Sequence, residues 1–570
     1  MTLDFKGNNG EKAGGILLAL LPFWDPQIPP SGISCLKSYL RGRGHKVSCV
    51  DANITGNLNS IYHDYFDLLK GAIPADKQGN YYKIGHDVLR NHLMAFLHHT
   101  DNGDYLELVK ILVEKTYFTK ISNDLALRLC NIVELFFKRL HRFLMDVLQR
   151  TRPRVLGLSV YGGTLPASVY ASRVAKEFDS DMVVVMGGGV FADQLSPGSP
   201  DFEYFSRKVD TIDHMFVGEG ELLFSKYLEG DLPDSQRVYS IKDIGGETFD
   251  LGGADIMEFS DFDLQHYPYL ASYSSRSCPF QCGFCSETIQ WGRYRRKEPE
   301  QVAAELLRLK DMYGYRSFLM CDSLLNPVVA GVSTELEKAD ASVYWDGYLR
   351  ADSPVGDVEN TIQWRRGGFY RARLGVESGS ERILREMGKK ITPDHIRKAV
   401  GSLAYAGIKA TTYWVIGYPG ETEAEFQQTL DLIEELKDDL YTADGTPFNF
   451  SYSGQVNSQG WNEQARILYP EWGREMLLAQ TWYRDAEPSR EEIFHRMWRF
   501  VDHLKAMGVP TPYTLNDVHM ADKRWVRLHP NAVPPLVELK SNGNFSDERK
   551  HVKKMVKAGK TFEDDGDFGF

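Results

Sequence analysis

The segment from Ser275 to Glu287 reads S-R-S-C-P-F-Q-C-G-F-C-S-E and contains three cysteines in a C-x3-C-x2-C pattern. The cysteines are Cys278, Cys282 and Cys285. Three thiolates this close in sequence can bind three irons of a [4Fe-4S] cube, whereas ordinary clusters have a fourth cysteine. The fourth iron would then be open to a ligand that is not part of the protein.

Other interpretations of the cysteines account for less of the pattern. A structural zinc site normally needs four ligands in paired spacings, and the chain has no second pair, although Cys321 could supply a fourth thiolate. A disulfide framework is out of place with seven cysteines among 570 residues. Cys35, Cys49 and Cys130 are far apart in sequence and are predicted to be buried thiols, so no second cluster is expected.

The composition is that of an ordinary soluble protein, with 42% hydrophobic and 25% charged residues. No apolar run approaches the ~20 residues that span a bilayer, and the apolar stretch near the start is better explained as a buried strand than as a signal peptide. Few cysteines and no export signal predict a location in the reducing cytoplasm. The net charge of −12 argues against a nucleic-acid substrate, because phosphate binding needs basic patches.

Strands and helices alternate in the first third of the chain. The predicted elements are strands at Gly15–Trp24, Lys46–Val50, Val155–Val160, Met182–Met186 and His214–Val217, with helices at Gly32–Arg43 and around Ala167–Phe178. This order predicts a doubly wound, Rossmann-like parallel sheet, which binds ligands at the carboxyl ends of its strands. Glycines follow two of these strands, at Gly187–Gly189 and at Gly218, where a ligand could approach the backbone closely.

After the cysteine segment, strand and helix repeat with clear boundary signals. Pro299 and Pro393 each stand at the first position of a predicted helix. Thr422 and Glu425 form a capping box for a further helix. The strands after the cysteines are predicted at 317–322, 343–350, 371–377, 411–417 and 448–452. With one strand before the cysteines, they predict a partial (β/α)6 barrel whose chemistry lies at the carboxyl ends of the strands.

These features together resemble the radical S-adenosylmethionine (radical SAM) enzymes. In that family the open iron of the cluster binds SAM, and an electron from the cluster splits SAM to methionine and a 5′-deoxyadenosyl radical. The segments G-V-E-S-G-S-E at 375–381 and V-I-G-Y-P-G-E at 415–421 are similar to family motifs that contact SAM. By this resemblance the SAM-binding residues are Phe284, Asp322, Ser323, Arg350, Glu377, Ser378, Ile416 and Gly417.

The resemblance also implies a role for each of these residues. Glu377 and Ser378 would contact the ribose and methionine parts of SAM, since a carboxylate accepts hydrogen bonds from hydroxyl and ammonium groups. Asp322 or Ser323 would hold the amino group, and Arg350 could pair with the carboxylate. Phe284 and the backbone at 416–417 would lie against the adenine.

The first third of the chain resembles the cobalamin-binding domain that precedes many radical SAM domains. The similarity covers about 15–53 and 152–230 and rests on P-P-S-G-I-S-C-L-K-S-Y-L, G-L-S-V-Y, V-V-V-M-G-G-G and V-G-E-G-E. It implies cobalamin contacts at Pro30, Ser159, Tyr161, Gly187, Gly188, Gly189, Gly218 and Glu219. The D-x-H-x-x-G motif, whose histidine ligates cobalt in other cobalamin proteins, is absent; W-D-P-Q-I-P-P-S-G follows the first strand instead. The alternative is a Rossmann-like domain that contacts a substrate or a partner.

The predicted fold class is α/β, followed by a mainly helical C-terminal region. The expected domains are a Rossmann-like cobalamin-binding domain at 1–235 with a helical insertion at about 55–150, a linker at 236–265, the radical SAM barrel at 266–455, an aromatic-rich helical region at 456–540 and a charged tail at 541–570. Aromatic residues next to a barrel either line a substrate pocket or form plain core.

The resemblance implies a cobalamin-dependent radical SAM enzyme, most commonly a methyltransferase acting on an unactivated carbon or phosphorus. The insertion and the aromatic region favour a natural-product or peptide substrate, and a flavodoxin or ferredoxin would supply electrons. Fold analogy also leaves open a cyclase or ring-rearranging enzyme, and a radical SAM enzyme without cobalamin. A non-catalytic iron–sulfur or zinc protein would have no use for the SAM motifs.

Overall fold

The computed structural model describes residues 14–55, 58–452, 460–512 and 515–533, and contains two six-stranded parallel sheets. The predicted α/β fold class is confirmed, with helices between the strands of both sheets. The predicted charged tail at 541–570 lies outside the described residues.

The first sheet has the strand order β2-β1-β3-β4-β5-β6, and every neighbouring pair is parallel. Its strands are β1 Ile16–Leu20, β2 Val47–Asp51, β3 Val155–Ser159, β4 Val183–Gly187, β5 His214–Val217 and β6 Val238–Ser240. All five residues of β1 are buried, as expected for a strand that is covered on both faces. The order reverses between β1 and β3, and a doubly wound sheet binds its ligand outside the carboxyl ends at such a reversal.

The second sheet follows the chain order, β14-β13-β12-β11-β10-β7, again with parallel neighbours. Its strands are β7 Leu270–Ser272, β10 Ser317–Met320, β11 Tyr344–Leu349, β12 Phe369–Glu377, β13 Lys409–Ile416 and β14 Thr442–Pro447; two short hairpins are formed by β8 Ser275–Arg276 with β9 Arg295–Arg296 and by β15 Ala465–Ile467 with β16 Trp482–Arg484. β7 and β14 are the two edges, so the six β/α units form an open barrel, as predicted.

The helices connect these strands and cover the sheets. They are α1 Ser31–Gly42, α2 Leu58–Lys70, α3 Tyr81–His98, α4 Asn102–Tyr117, α5 Asn123–Thr151, α6 Leu165–Phe178, α7 Pro200–Lys208, α8 Gly220–Glu229, α9 Glu287–Trp291, α10 Pro299–Tyr313, α11 Val329–Lys338, α12 Val358–Arg366, α13 Glu381–Glu386, α14 Pro393–Ala406, α15 Glu423–Leu436, α16 Arg474–Leu477, α17 Arg490–Met507 and α18 Leu515–Leu528. The predicted boundary signals at Thr392 and Thr422 are present, because each side chain accepts a hydrogen bond from the backbone of its helix.

The helical insertion between β2 and β3 consists of α2 to α5. These helices share one apolar core with one face of the first sheet, and with α6 and α7. Tyr469, Leu477 and Phe494 of the C-terminal region enter the same core. The insertion is therefore joined to both ends of the chain and not only to the sheet that it interrupts.

The prediction of a sixth barrel strand at 448–452 is wrong. The strand is β14, T-A-D-G-T-P, which pairs with β13 over its whole length. Its composition hid it, because glycine and proline are unfavourable in strands. Gly445 is needed there, since a Cβ atom at this position would lie 2.5 Å from the ring of Phe500 on α17. The alternating F-N-F-S-Y that suggested a strand instead contributes to the wall of a cavity described below.

Two other regions differ from expectation. β6 lies at Val238–Ser240, inside the segment predicted to be a linker, and completes the first sheet. In the described residues of the aromatic region before Arg490, the one α-helix is the short α16; the β15–β16 hairpin and short turns make up the rest. None of the helices in the described part of the chain combines the length and apolar character that crossing a bilayer requires.

Candidate functional site

The cysteine loop runs from β8 to α9 at the carboxyl end of β7, where the barrel begins. The hydroxyl of Ser277 donates to the carbonyl of Gly292 at 2.6 Å, and the amide of Gly283 donates to the carbonyl of Met387 at 2.9 Å. The amide of Cys285 donates to the carbonyl of Cys282 at 3.2 Å, which turns the loop back on itself. Sequence spacing and these bonds bring the three cysteines together at one place.

The environment of the cysteines suits a metal cluster. Burial raises the pKa of the Cys278 thiol and raises that of Cys285 to about 11. Thiolates in such a place need a compensating positive charge, which iron supplies. Among the described residues, no three histidine, cysteine, aspartate or glutamate side chains converge closely enough to share one metal ion. A [4Fe-4S] cube does not require the three sulfurs to converge on one ion, since each thiolate binds a different iron.

Arg350 lies beside the cysteine loop at the end of β11. One guanidinium nitrogen is 3.8 Å from the sulfur of Cys282, and the guanidinium carbon is 4.0 Å from the centre of the Phe280 ring. Its Nη2 is buried with no hydrogen-bond partner among the described residues. A buried, half-satisfied guanidinium next to the cysteines fits an anionic group there, either the cluster itself or the carboxylate of SAM.

The carboxylate of Asp322 is fully engaged by the start of the cysteine loop. It accepts hydrogen bonds from the Ser274 amide at 2.9 and 3.0 Å and from the Ser275 hydroxyl at 2.6 Å. The neighbouring Ser323 donates to Glu287 of α9. In this arrangement both residues hold the protein's own loop. Their contact with the amino group of SAM stays a prediction.

Glu377 is the last residue of β12 and has a left-handed backbone, with φ of 63°. Its Oε1 accepts a hydrogen bond from Lys389 Nζ at 2.6 Å. That ammonium also lies 5.8 Å from the centre of the ring of Phe284, a residue that stands between Cys282 and Cys285 in the sequence. The structure therefore brings Glu377 and Phe284, both predicted to bind SAM, to the same place. Lys389, which the sequence did not single out, joins them.

Ser378 and the end of β13 are placed differently. The Ser378 hydroxyl accepts from the amide of Ser380 at 3.1 Å inside a buried turn, so it contributes to the loop itself. Gly417, after the buried Ile416, has φ of 78°, and a Cβ atom there would lie 2.4 Å from the side chain of Ile493. Its amide donates to the carboxylate of Glu421 at 3.0 Å. Glycine at 417 thus allows close packing at the mouth of the barrel.

An aromatic pair marks the carboxyl edge of the first sheet at the strand reversal. The rings of Trp24, after β1, and Tyr161, after β3, are stacked with their centres 4.3 Å apart. Trp24 is 41% exposed. This is unusual for a tryptophan whose ring is stacked and whose backbone amide donates a hydrogen bond to the side chain of Asn53. Ser159 ends β3 on the same edge, and Pro30 precedes α1 nearby. Trp24 was not predicted; its position in the W-D-P segment after the first strand was the available signal.

The glycines after β4 are partly needed by the fold itself. Gly188 has φ of 116°, and a Cβ atom there would lie 2.6 Å from the carbonyl oxygen of Val160. A larger residue would therefore displace the end of β3 before it reached any ligand. Gly189 lies against the Tyr161 ring, while Gly187 has more space, with its nearest neighbour 3.7 Å away at Phe216.

Glu219, predicted to contact cobalamin, joins the first sheet to the cysteine loop. Its carboxylate pairs with Arg276 of β8 at 2.9 Å and with Arg295 of β9 at 2.6 Å, in the pair of strands that flanks the loop. Glu221, two residues after Glu219, also forms an ion pair with Arg276. Through these ion pairs Glu219 links the first sheet to the cysteine loop. Gly218, directly before it, has φ of 103°.

A cavity of about 380 Å³ opens between the two sheets, the insertion and the C-terminal region. From the barrel it is lined by Gly417 and 446–452, and from the first sheet by Gly162 and Gly163, directly after Tyr161. The insertion contributes α3, and the C-terminal region contributes 480–484 together with the start of α17. The cavity therefore reaches Gly417 of the predicted SAM residues and, on the first sheet, the two glycines that follow the predicted cobalamin contact Tyr161.

Residues 272–433 match the family model of the radical SAM superfamily. Over these residues the chain is similar to the radical SAM superfamily. The match starts at β7, includes the cysteine triplet and ends in α15. Cys321, the conceivable fourth thiolate, is exposed at the end of β10 and starts the segment that carries Asp322. A [4Fe-4S] cluster bound by the three cysteines and an external ligand would need no fourth protein ligand.

Known proteins resemble this chain over a longer stretch than the family match. It is 25% identical over 317 residues to the uncharacterized methyltransferase PH0819 of Pyrococcus horikoshii, covering 51% of this chain and 66% of the relative. It is 22% identical over 329 residues to an anaerobic magnesium-protoporphyrin IX monomethyl ester cyclase of Rubrivivax gelatinosus, covering 53% and 58%. The chain thus spans under two thirds of the length of these relatives.

One solved structure shares the fold over nearly the whole of this chain. This is the radical S-adenosylmethionine methyltransferase TsrM of Kitasatospora setae, solved with cobalamin and a [4Fe-4S] cluster bound. The two align with a TM-score of 0.56 at 12% identity, over 91% of this chain and 99% of that one. The predicted order of a Rossmann-like domain, a barrel and a C-terminal region is therefore an existing radical SAM architecture.

Replacing Glu377 by glutamine should weaken SAM binding by about 10- to 100-fold without loss of iron, because hydrogen bonds to a charged group contribute about 1.5–3 kcal/mol. Isothermal titration of the iron-loaded protein with SAM measures the effect. Glu381→Gln, an exposed carboxylate on the neighbouring α13, is the matched control and should bind normally. Equal affinities for all three proteins would move the SAM contact away from Glu377.

Burial raises the pKa of Glu421 to about 7, although Arg496 lies 3.1 Å away; Glu425 adds to the rise. The folded protein therefore holds a proton that the unfolded chain releases near pH 4.5, and stability falls as the pH rises through that window. Between pH 5 and 8 the wild type should lose about 1–3 kcal/mol of unfolding free energy relative to Glu421→Gln. Urea unfolding of both proteins measures this difference, and parallel pH curves would contradict it.

Proposed function

We propose that the protein is a cobalamin-dependent radical SAM methyltransferase that acts on an unactivated carbon or phosphorus of a natural-product or peptide substrate. The observation that carries the proposal is the common cavity. It is bordered by Gly417 of the SAM motif on one side and by Gly162, next to Tyr161, on the other. A substrate in this cavity would lie between the two cofactors, which is the arrangement that methyl transfer needs.

The residues around the cysteine loop fit a cluster with SAM bound to it. Cys278, Cys282 and Cys285 would hold three irons, and the free nitrogen of Arg350 would face the negative charge of the cluster or of SAM. Glu377, oriented by Lys389, would accept hydrogen bonds from SAM beside the Phe284 ring. When bound, these groups supply a 5′-deoxyadenosyl radical, and cobalamin supplies a methyl group.

The carboxyl edge of the first sheet fits a large planar cofactor. Trp24 and Tyr161 form a stacked pair whose outer face is open, at the strand reversal where doubly wound sheets bind ligands. The shared fold with TsrM, which holds cobalamin and a cluster, supports the same pairing of cofactors here. Gly187 leaves space at this edge, whereas Gly188 and Glu219 serve the fold and the link between the domains.

The protein's own part in the reaction would be to position the substrate and to exclude water. The cavity walls come from four separate parts of the chain, and the C-terminal residues 480–484 close the side away from the sheets. Enclosure protects a radical from solvent and fixes the reacting atoms near one another. We further propose a flavodoxin or ferredoxin as the reductant, a cytoplasmic location, and a first domain that extends past β6.

The test is the metal and cofactor content of protein purified without oxygen and supplied with cobalamin. We expect about four irons and one cobalt per chain, cleavage of SAM to 5′-deoxyadenosine, and transfer of a labelled methyl group from SAM to the bound cobalamin. Trp24→Ala should lower cobalt without changing iron. Trp472→Ala, a comparably exposed tryptophan outside the cavity, is the control and should retain both.

Two other outcomes would replace the proposal. Four irons with SAM cleavage but no cobalt would make the protein a radical SAM enzyme without cobalamin. Cobalt and iron with no methyl transfer to cobalamin would favour the ring-forming alternative, for which the similarity to the Rubrivivax gelatinosus cyclase is the specific support.

A further inference from the structure

The cavity between the domains contains an unusual buried amide, Gln480. Its side chain is 3% exposed, and neither its oxygen nor its nitrogen has a hydrogen-bond partner among the described residues. Buried amides without partners cost free energy, so they are rare unless something else satisfies them. Gln480 lines the cavity, and its oxygen and NH2 group together match a ligand that offers both a donor and an acceptor. Another amide is such a ligand.

Arg490, at the start of α17, lines the same cavity. Its guanidinium lies over the rings of Phe118 and Phe494, at 5.2 and 4.5 Å from their centres, and donates to the carbonyl oxygen of Lys115. In the described part of the chain it forms no ion pair with a carboxylate. Burial lowers the pKa of Arg490, and the nearby Tyr469, Asp87 and Tyr483 offset only part of this effect.

Asp87, a carboxylate that acts electrostatically on Arg490, already binds other groups. Asp87 on α3 binds Arg90 at 2.6 Å and accepts from the hydroxyl of Thr481 at 2.8 Å, while its other oxygen accepts from Tyr469. The positive charge of Arg490 therefore remains available to an anion that enters the cavity. An arginine with a planar fork of donors is well suited to a carboxylate.

Resting on the proposed function, we propose that the methylated substrate is an amide-bearing carboxylate, with its amide at Gln480 and its carboxylate at Arg490. N-acyl amino acids and the C-terminal residues of peptides share this chemistry. The aromatic residues of the cavity, among them Phe450, Trp482 and Phe494, would surround the rest of the residue. The volume of about 380 Å³ is in the range of small-ligand sites and admits one such residue.

The test is binding of matched small probes to the full-length, iron-loaded protein without oxygen. N-acetyl-L-phenylalanine has both groups, N-acetyl-L-phenylalaninamide lacks the carboxylate, and 3-phenylpropionate lacks the amide. Saturation-transfer NMR or calorimetry should show N-acetyl-L-phenylalanine binding at least about tenfold more tightly than either analogue. No binding of the three probes, or equal binding of all three, would overturn the proposal.

Variants assign each preference to one side chain. Arg490→Met should remove the preference for the carboxylate, and Gln480→Leu the preference for the amide. Arg490→Lys keeps the charge and should retain much of the carboxylate preference, which separates lost recognition from lost folding. Arg466→Met, which changes an exposed arginine of β15 outside the cavity lining, is the matched control and should bind like wild type. A preference that survives both cavity variants would place the ligand elsewhere.

Two further readings separate this inference from the proposed function. Iron and cobalt are measured on the same samples, and probe binding is scored without SAM. Selective binding in protein without cobalt would retain the substrate class and reject the methyltransferase. Cobalt and SAM cleavage with no selective probe binding would retain the proposed enzyme and reject the proposed substrate class. A peptide ending in the same residue that binds more tightly than N-acetyl-L-phenylalanine would identify a peptide C-terminus as the source; weaker binding would identify the small acyl amino acid.

Discussion

Cys282→Ser should abolish reductive cleavage of SAM, with 5′-deoxyadenosine formation falling by at least about three orders of magnitude, because the three cysteines act as one unit. Cys282 is the buried member of the triplet, beside Arg350, and a serine hydroxyl is a poor ligand for iron. The measurement is 5′-deoxyadenosine formed with dithionite as reductant, together with iron content and the circular dichroism of the protein.

The matched control for this prediction is Cys321→Ser. Cys321 is the thiol that a four-cysteine zinc site would require, and it is exposed at the end of β10. We expect normal iron content and normal SAM cleavage from this variant. Loss of metal in both variants would favour a four-thiolate site, and full SAM cleavage by Cys282→Ser would remove the cluster from the cysteine triplet.

Lys409→Met should lower the free energy of unfolding by about 3–5 kcal/mol, which is the usual cost of leaving a buried charge without its partner. Lys409 of β13 and Asp522 of α18 form an ion pair in which both side chains are 3% exposed. The hydroxyl of Tyr441 also donates to Asp522 at 2.8 Å. These bonds hold α18 against the barrel sheet. Urea or thermal unfolding of the protein without cofactors measures the loss.

Two comparisons make the ion-pair prediction specific. The double variant Lys409→Met with Asp522→Leu should recover most of the lost stability, since apolar residues can replace a buried pair at little cost. Lys505→Met breaks an exposed pair with Asp502 on α17 and should change stability by less than about 1 kcal/mol. Equal effects of Lys409→Met and Lys505→Met would show that burial does not determine the strength of the pair.

Local patterns were sufficient for the architecture. The capping box of Thr422 with Glu425 marks the start of α15, and His214–Val217 is a strand with the predicted bounds. Such signals are short-range, since they depend on neighbouring backbone groups and on the alternation of buried residues. The same rules missed β14, because two of its residues are explained only by distant contacts. Asp444 pairs with Lys83 of the insertion, and Gly445 leaves room for Phe500 of α17.

The chemistry of the site was predicted less completely than its location. The cysteine loop and Glu377 could be found because their spacing follows a motif. The partners of Glu219 and Asp322 could not, because Arg276 is 57 positions from Glu219, and Ser274 is 48 from Asp322. A motif names a carboxylate but does not say whether the fold or a ligand uses it.

The cavity was beyond the reach of the sequence for a related reason. Gln480 and Arg490 can be identified as candidate ligand-binding residues only in the folded structure, where α3, the barrel mouth and the C-terminal region enclose one space. Aromatic residues in this region were expected to be either core or lining. Both outcomes occur, since Tyr469 and Phe500 are fully buried while Trp482 faces the cavity.

The ion pairs of Glu219 and Glu221 with the β8–β9 hairpin limit how this chain can be recombined. A chimaera that replaced the first sheet by that of another protein would leave Arg276 buried beside the cysteines with no carboxylate. Only donors that carry acidic residues at both positions would be compatible. In evolution, the first sheet and the barrel of this chain should therefore be inherited together and exchange segments rarely.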